Sequence, residues 1–292
     1  MTTAPVRREA FAAAKVNLFL HVGSTAPDGY HPIASLFVFA DIGDRLRLGE
    51  GSAGVLTIEG PFATGLSAGS DNLIVRAREA LSPGLATDLV LDKGLPLASG
   101  IGSGSADAAA TLRLLNPLLP EPRTEAELMA IAAALGSDVA ACLDSRAVIA
   151  TGRGEVLLPA PRLPGLHAVL VNPGVESPTG PVFRAYDSGA VRDAAAPSMP
   201  PAFSTPGEVA DLVAKTRNDL EAPALSLTPA IGTVLEALRA EPETLAARMS
   251  GSGATSFALC EGAAEARALA GRLGAARPRW WVRACRLGGP WT

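Results

Sequence analysis

Lysine is scarce in this 292-residue chain. Only Lys15, Lys93 and Lys215 are lysines among its 25 basic residues, and the others are arginines. Because arginine is the usual cation here, each lysine hints at a position that needs a compact, titratable charge instead of a planar fork. The formal net charge is −4 and the chain has no basic tail. These features argue against a nucleic-acid partner, since nucleic-acid binders usually present a basic surface.

Cysteine and histidine, at three residues each, are too few and too scattered for a disulfide framework or a metal centre. Cys142, Cys260 and Cys285 form no CxxC pair, and no HExxH motif is present. We therefore predict no metal site built by the protein. Long apolar runs are also missing, because none approaches the roughly 20 residues needed to cross a bilayer, and no signal-peptide core follows the charged N-terminus. We expect a cytoplasmic protein without a membrane partner.

The chain does have enough apolar residues, 48% of the total, to form about two folded domains. The Pro-rich segment 159–165 marks a boundary by its composition, so we predict domains over 1–163 and 164–292. Residues 173–207 are rich in proline, serine and glycine, and we predict a long loop there with little regular structure.

Two Gly/Ser segments, at 100–105 and 250–255, indicate a ligand site. The first leads into a predicted helix, whose unpaired first amides suit phosphate, while glycine lets the backbone approach a ligand closely. A Walker A loop is excluded because the chain has no Gly-Lys dipeptide, and a dinucleotide fingerprint fits poorly because its third position falls on Ser105 or Asp107. One such loop alone could be a flexible turn, but one in each predicted domain indicates a ligand held between the domains.

Polar residues at three places allow both a structural and a chemical interpretation. Lys15 alternates with apolar residues on the first predicted strand, where it either extends to solvent at an edge or offsets charge near a phosphate. Asp138 precedes the short segment VAACL, where it either caps a helix or accepts a proton from a hydroxyl group. Tyr30 and His31 lie in a loop that either packs around its own aromatic ring or binds a planar base.

Taken together, these segments resemble the GHMP kinase superfamily of small-molecule kinases, which have no Walker A loop. The segments AKVN and DGYH point, within it, to kinases of a cytidine-diphosphate-linked methylerythritol. The resemblance extends over both halves of the chain in the family's order. Its segments are AKVNLFLHV (14–22), DGYHPIASLFVFADIGDRL (28–46), DNLIVRA (71–77), DKGLPLASGIGSGSADAAATLRLLN (92–116), GSDVAACL (136–143), ATGRGE (150–155), NDLE (218–221) and MSGSGATSFAL (249–259).

The resemblance implies an α+β, two-domain GHMP kinase fold, with an N-terminal ATP-binding domain of ribosomal-protein-like β-α topology and a C-terminal ferredoxin-like domain. The active site is then expected in the cleft between them. The implied reaction moves the γ-phosphoryl group of ATP, with Mg²⁺ delivered by ATP, to the 2-hydroxyl of the small-molecule substrate in the non-mevalonate isoprenoid pathway. A monomer or weak homodimer is expected. The alternatives are another GHMP kinase, for homoserine, mevalonate or a sugar, and a non-catalytic nucleotide-binding module.

Matched position by position, the resemblance implies that Lys15 and Asp138 are the catalytic pair, in which Asp138 orients or deprotonates the hydroxyl. Ala140 and Ala141 stand where the family usually has proline and a bulky aromatic residue, and Ala106 stands where serine is common. The implied cofactor-binding residues are Asn72, Lys93, Pro96, Gly100, Ile101, Gly102, Ser103, Gly104, Ser105 and Ala106. The implied substrate-binding residues are Asn17, Tyr30, His31, Phe183, Gly251, Ser252, Gly253, Ala254 and Thr255.

Overall fold

The computed structural model describes residues 8–189 and 193–292, and over these ranges the chain forms the predicted α+β fold. Among the described residues, no helix combines the length and hydropathy needed to span a membrane. The strands are β1 (Glu9–Val22), β2 (Ile33–Leu48), β3 (Leu56–Glu59), β4 (Leu89–Asp92), β5 (Val148–Gly152), β6 (Val156–Pro159), β7 (Leu166–Asn172), β8 (Ala246–Met249), β9 (Ser256–Cys260) and β10 (Trp281–Gly288). The helices are α1 (Leu73–Leu81), α2 (Ser103–Leu115), α3 (Glu125–Leu135), α4 (Ser137–Asp144), α5 (Thr179–Asp187), α6 (Pro206–Lys215), α7 (Glu221–Leu227), α8 (Ala230–Arg239) and α9 (Ala263–Ala276).

These strands form one sheet, whose main path runs β3-β4-β2-β10-β7-β9-β8. Strand β2 also pairs with β1 and β5, and β6 pairs with β5. The pair β3–β4 is parallel and the other pairs are antiparallel. Strand β10 joins the two halves of the chain, because it pairs with β7 over residues 281–287 and with β2 at Phe39 and Ala40. The predicted boundary at 163 therefore falls in the connection between β6 and β7, within one continuous sheet.

Two clusters of buried hydrophobic side chains pack the elements near the junction of the N-terminal and C-terminal halves of the chain. Helices α1, α2, α3 and α4 pack with side chains of β1, β2 and β4, such as Phe39 and Leu91. Helix α2 lies close to the sheet because its buried residues 108–110 are alanines, whose small side chains permit close packing. The second cluster contains residues from both halves, such as Leu36 and Leu170. This shared core fixes the walls of the intervening cleft relative to each other.

Helix α5 lies within segment 173–207, so the prediction of a long irregular loop there is wrong. The helix begins with Thr179, Gly180 and Pro181. Proline is tolerated in the first turn of a helix, because the first amides have no partner within the helix. The density of proline and glycine therefore concealed a helix start. Helix α5 buries Val182 and Tyr186, and it carries Phe183 to the cleft.

Candidate active site

A cavity of about 750 Å³ lies between the two halves of the chain. Both Gly/Ser loops, strand β1, the loop before β2 and helix α5 contribute to its walls. Thirteen of the residues predicted from the sequence line this cavity. They include the predicted catalytic pair, predicted cofactor-binding residues and predicted substrate-binding residues. They are Lys15, Asn17, Tyr30, His31, Gly100, Gly102, Ser103, Gly104, Ser105, Asp138, Phe183, Gly251 and Ser252.

Lys15 and Asp138 form an ion pair in this cavity, with 3.1 Å between Nζ and Oδ2. Lys15 is 4% exposed, so it is not a lysine that extends to solvent at a sheet edge. Its ammonium group also donates to Oδ1 of Asn17 at 3.0 Å and lies 4.0 Å from the centre of the Phe37 ring. Asp138 is not a helix cap, because Gly136 is the N-cap of α4 and Asp138 lies in the first turn. Both side chains are thus available for chemistry in the cleft.

The first Gly/Ser loop presents the open N-terminus of α2 to the cleft. Gly102 is the N-cap, with φ +63°, and it has no side chain that could cap the first amides. Those amides and the helix dipole favour an anion, and Ser103 and Ser105 line the cavity beside them. The backbone amide of Lys15 donates to the carbonyl of Ile101 at 2.9 Å, which attaches the loop to β1. Phosphate and the Lys15 ammonium group would therefore share one end of the cavity.

The two Gly/Ser loops contact each other through their backbones. Gly100 has φ +76°, and a Cβ there would lie 2.3 Å from the carbonyl oxygen of Ser250. A Cβ on Gly251 would lie 2.7 Å from the carbonyl oxygen of Gly100. The hydroxyl of Ser250 donates to that same Gly100 carbonyl at 3.0 Å and accepts from the backbone amide of Asn17 at 3.1 Å. These glycines are therefore needed for the close approach of one loop to the other.

The side chains of Tyr30, His31 and Phe183 also line the cavity. Tyr30 is 58% exposed, and the Arg153 guanidinium carbon lies 4.5 Å from the centre of its ring. Arg153 also pairs with Asp28, and the backbone amide of Tyr30 donates to Asp28 at 3.0 Å, which lowers the pKa of that carboxyl. The His31 and Phe183 rings lie 5.1 Å apart. This loop therefore does not pack around Tyr30, whose ring stays open to the cavity.

His31 joins the loop before β2 to helix α5. Its Nδ1 lies 2.8 Å from the carbonyl oxygen of Gly23, and its Nε2 lies 3.1 Å from Oδ1 of Asp187. The hydroxyl of Thr25 donates to the same Asp187 oxygen at 3.2 Å. These contacts hold α5, which carries Phe183, against the loop that carries Tyr30.

Lys93, implied as a basic residue near the triphosphate loop, is not part of the cavity lining, because two carboxylates hold its ammonium group beneath α2. Its Nζ lies 2.6 Å from Asp44 and 2.5 Å from Asp107, and its exposure is 1%. Burial and the neighbouring Asp107 raise the pKa of Asp44 to about 8, although Lys93 opposes that shift. Burial alone would lower the pKa of Lys93, but Asp107 and Asp44 outweigh it and raise that pKa. This cluster is part of the core.

Seven other predicted residues also lie outside the cavity lining. The Asn72 side chain caps α1, because its Oδ1 accepts from the amide of Ile74 at 2.9 Å and its Nδ2 donates to the carbonyl of Ser67 at 2.6 Å. Pro96 lines a separate cavity of about 430 Å³. The remaining five are buried in the two Gly/Ser loops and at the start of α2, and they are Ile101, Ala106, Gly253, Ala254 and Thr255.

Several residues of the cavity lining were missed by the sequence analysis. Arg153 lies in ATGRGE and Leu220 in NDLE, two segments whose resemblance was noted without a role for these residues. Thr179 and Asp187 lie in the segment predicted as a loop, where no helix periodicity pointed to them. No group of three or more His, Cys, Asp or Glu side chains in residues 8–189 and 193–292 is arranged to hold a metal ion.

Known proteins share both this fold and much of this sequence. The family models of the GHMP kinases N terminal domain and the GHMP kinases C terminal match residues 72–146 and 201–278. The chain belongs to the GHMP kinase family. This GHMP kinase is 56% identical to a 4-diphosphocytidyl-2-C-methyl-D-erythritol kinase of Caulobacter vibrioides (strain NA1000 / CB15N). The match covers 97% of this chain and 100% of the Caulobacter chain. The kinase of the same name from Caulobacter sp. (strain K31) is 52% identical, over 98% of this chain and 100% of that one.

Solved structures also support the membership of this chain in the GHMP kinase family. A crystal structure of 4-(cytidine 5'-diphospho)-2C-methyl-D-erythritol kinase superimposes with a TM-score of 0.76 and 35% identity, over 97% of this chain and 100% of that one. A homoserine kinase from Cytophaga hutchinsonii superimposes with a TM-score of 0.68 over 99% and 97%, but at 20% identity it shows the shared fold alone. The predicted GHMP kinase fold is thus confirmed.

Proposed function

We propose that the protein transfers the γ-phosphoryl group of ATP to the 2-hydroxyl of 4-diphosphocytidyl-2-C-methyl-D-erythritol, a step of the non-mevalonate route to isoprenoid precursors. The observation that carries this proposal is the Lys15–Asp138 pair, which lines the same cavity as the open N-terminus of α2 and the rings of Tyr30 and Phe183. Relatives that are 46–56% identical bear the name of this kinase. The solved homoserine and mevalonate kinases that superimpose on this chain are 11–20% identical to it, so they show the shared fold and not the substrate.

ATP would place its phosphates at the N-terminus of α2. The uncapped amides there donate to phosphate oxygens without losing any existing partner. The hydroxyls of Ser103 and Ser105 line the same part of the cavity. Mg²⁺ would enter the site bound to ATP. When it is bound there, it neutralises part of the negative charge of the phosphates. The side chains that would face it are these serine hydroxyls, so the protein contributes oxygen donors that suit this ion.

The acceptor hydroxyl would bind next to Asp138. A carboxylate within hydrogen-bond distance can orient the hydroxyl and accept its proton as the oxygen attacks phosphorus. Lys15, 3.1 Å from that carboxylate, adds positive charge where negative charge develops in phosphoryl transfer. Asn17 accepts from Lys15 and fixes the direction of the ammonium group. Ala140 and Ala141 are buried, whereas the Asp138 side chain is 34% exposed and lines the cavity.

The cytidine would bind between Tyr30 and Phe183, the stacking pair that the family resemblance implies. Stacking on aromatic faces holds a planar base, and Tyr30 is open on the cavity side. Arg153 and Arg184 also line the cavity and give it positive charge for the diphosphate that links the base to the acceptor. We further propose that the protein works in the cytoplasm as a monomer or weak homodimer, without nucleic-acid or membrane partners.

The test is a substrate panel with purified protein, ATP and Mg²⁺. Release of ADP is measured with 4-diphosphocytidyl-2-C-methyl-D-erythritol, homoserine, mevalonate and galactose, and the phosphorylated position is located by NMR. We expect turnover with the cytidylyl substrate alone and phosphate on its 2-hydroxyl. Turnover of mevalonate or homoserine without the cytidylyl substrate would overturn the assignment, and ATP binding without turnover of any acceptor would indicate a non-catalytic module.

A further inference from the structure

The segment 217–221, which contains NDLE, lies between the end of strand β1 and the second Gly/Ser loop. The backbone amide of Leu20 donates to the carbonyl of Arg217, and the amide of Asp219 donates to the carbonyl of Leu20, both at 2.9 Å. The carboxylate of Asp219 accepts from the amide of Val22 at 2.8 Å. The segment is therefore attached to β1 just beyond Lys15 and Asn17.

Asn218 connects this segment to the second loop. Its Nδ2 donates to the carbonyl oxygens of Met249 and Gly251, each at 2.8 Å, and its Oδ1 accepts from the amide of Leu220 at 3.0 Å. Both donors of the carboxamide and its acceptor are used, and the residue is 7% exposed. Only a carboxamide of this length supplies two donors and one acceptor at that point, since a carboxylate would face two carbonyl oxygens.

The position of Gly251 in turn sets the second loop against the first. Gly251 touches the Gly100 carbonyl so closely that a Cβ would not fit between them. The adjacent Ser252 lines the cavity, and its hydroxyl lies 3.0 Å from that of Thr179 on α5. A shift of Gly251 would therefore move Ser252 and the part of the cavity wall that it forms with Thr179.

We propose that Asn218 is a positioning residue for phosphoryl transfer, which holds the Gly251–Ser252 loop so that acceptor and ATP phosphates meet in line. Asn218 is not part of the cavity lining, so it acts through that loop. The inference rests on the proposed kinase function. In-line transfer depends steeply on alignment, and a displacement of about 1 Å can cost about 100-fold in rate. When the acceptor is misplaced, water can attack the γ-phosphate in its stead. Some ATP would then be hydrolysed to ADP and phosphate without forming the phosphorylated product.

The experiment compares Asn218→Asp, Asn218→Ser and wild-type protein. The first places an oxygen against the Met249 and Gly251 carbonyls, and the second removes both donors without adding charge. We measure kcat, the KM for ATP, and phosphorylated product formed per ADP released. We expect kcat to fall by about 10- to 100-fold, the KM for ATP to stay unchanged, and the ratio of product to ADP to fall below that of wild type. A merely destabilised protein would lose product and ADP in proportion, which leaves the ratio unchanged.

Asn116→Asp is the matched control, because Nδ2 of Asn116 also donates to a carbonyl, that of Arg123 at 3.0 Å, but on the surface and outside the cavity lining. We expect its ratio to equal that of wild type. A folded Asn218 variant with the wild-type ratio would overturn the positioning role, and failure of both Asn218 variants to fold would overturn it by making Asn218 a folding residue. Absence of turnover in the wild type would instead refute the proposed function.

Discussion

Nζ of Lys15 and Oδ2 of Asp138 lie 3.1 Å apart, although one residue belongs to the first strand and the other to the first turn of helix α4. The lysine side chain is 5% exposed and the aspartate side chain 34% exposed. The lysine is thus held in place by its surroundings, while the carboxylate is open to a bound molecule. In the proposed reaction, this asymmetry favours contact of Asp138 with the acceptor hydroxyl and electrostatic support from Lys15.

Asp138→Asn should reduce kcat by about 10²- to 10⁴-fold, because an amide cannot accept the proton of the acceptor hydroxyl. ATP binding should survive, since the proposed phosphate site lies at the N-terminus of α2. Steady-state kinetics and nucleotide binding by calorimetry check both points. Asp144→Asn, at the exposed end of the same helix, is the control and should leave kcat unchanged. A near-normal kcat for Asp138→Asn would remove the carboxylate from the reaction.

Tyr30→Ala should raise the KM for the cytidylyl substrate with little effect on the KM for ATP. Loss of a stacked ring costs about 1–3 kcal/mol, which corresponds to roughly 5- to 150-fold in affinity. Tyr30→Phe keeps the ring and should bind the substrate like wild type, because within residues 8–189 and 193–292 the Tyr30 hydroxyl makes no hydrogen bond that supports the site. Equal KM values for the alanine and phenylalanine variants would show that the ring does not stack on the base.

Gly100→Ala should destabilise the protein and impair catalysis. A residue other than glycine at φ +76° costs about 1–2 kcal/mol, and the new Cβ would also push against the Ser250 carbonyl. Gly274→Ala, in helix α9 with no atom within 4 Å of the new Cβ, should instead stabilise by about 0.5–1 kcal/mol. Urea unfolding measures both changes. Equal stability of the two variants would contradict the contact between the loops.

Lys93→Met should lower the free energy of unfolding by about 3–5 kcal/mol at pH 8, because it leaves two buried carboxyls without their cation. Lys215→Met, whose lysine is 79% exposed, should change it by less than about 0.5 kcal/mol. Guanidinium unfolding of both variants against wild type measures the difference. A change no larger than that of Lys215→Met would mean that the buried pairs contribute nothing.

The loss in Lys93→Met should also depend on pH. The pKa of Asp44 is raised to about 8 in the folded protein, mainly by burial and by Asp107, against about 4 in the unfolded chain. Between these values the folded state keeps a proton that the unfolded state has released, so this contribution to stability decreases as pH rises. Lys93 lowers the pKa of Asp44, so in the variant this carboxyl should stay protonated to a higher pH than in wild type. The loss of stability in the variant should therefore grow as pH rises above about 8 and stay nearly constant below about pH 7. An equal loss at about pH 7 and about pH 10 would contradict this.

Much of the candidate site could be predicted because it consists of local patterns. A Gly/Ser segment before an alanine-rich helix predicts an uncapped helix N-terminus, and α2 has one. The alternation around Lys15 predicts strand β1. Helix α5 could not be predicted in the same way, because Pro181 and Gly180 are locally typical of loops, and only the packing of Val182 and Tyr186 makes the segment helical.

The two lysines Lys15 and Lys93 show where the information in the local sequence stops. The sequence by itself determined that Lys15 and Lys93 stand at unusual positions, since each is a rare cation in an apolar context. It could not separate them, because the role of a buried ammonium group depends on which carboxylates surround it. Only the tertiary structure brings Asp138 to Lys15 at the cleft, and Asp44 and Asp107 to Lys93 in the core. These partners come from elements distant in the chain, so the packing of those elements decides the outcome.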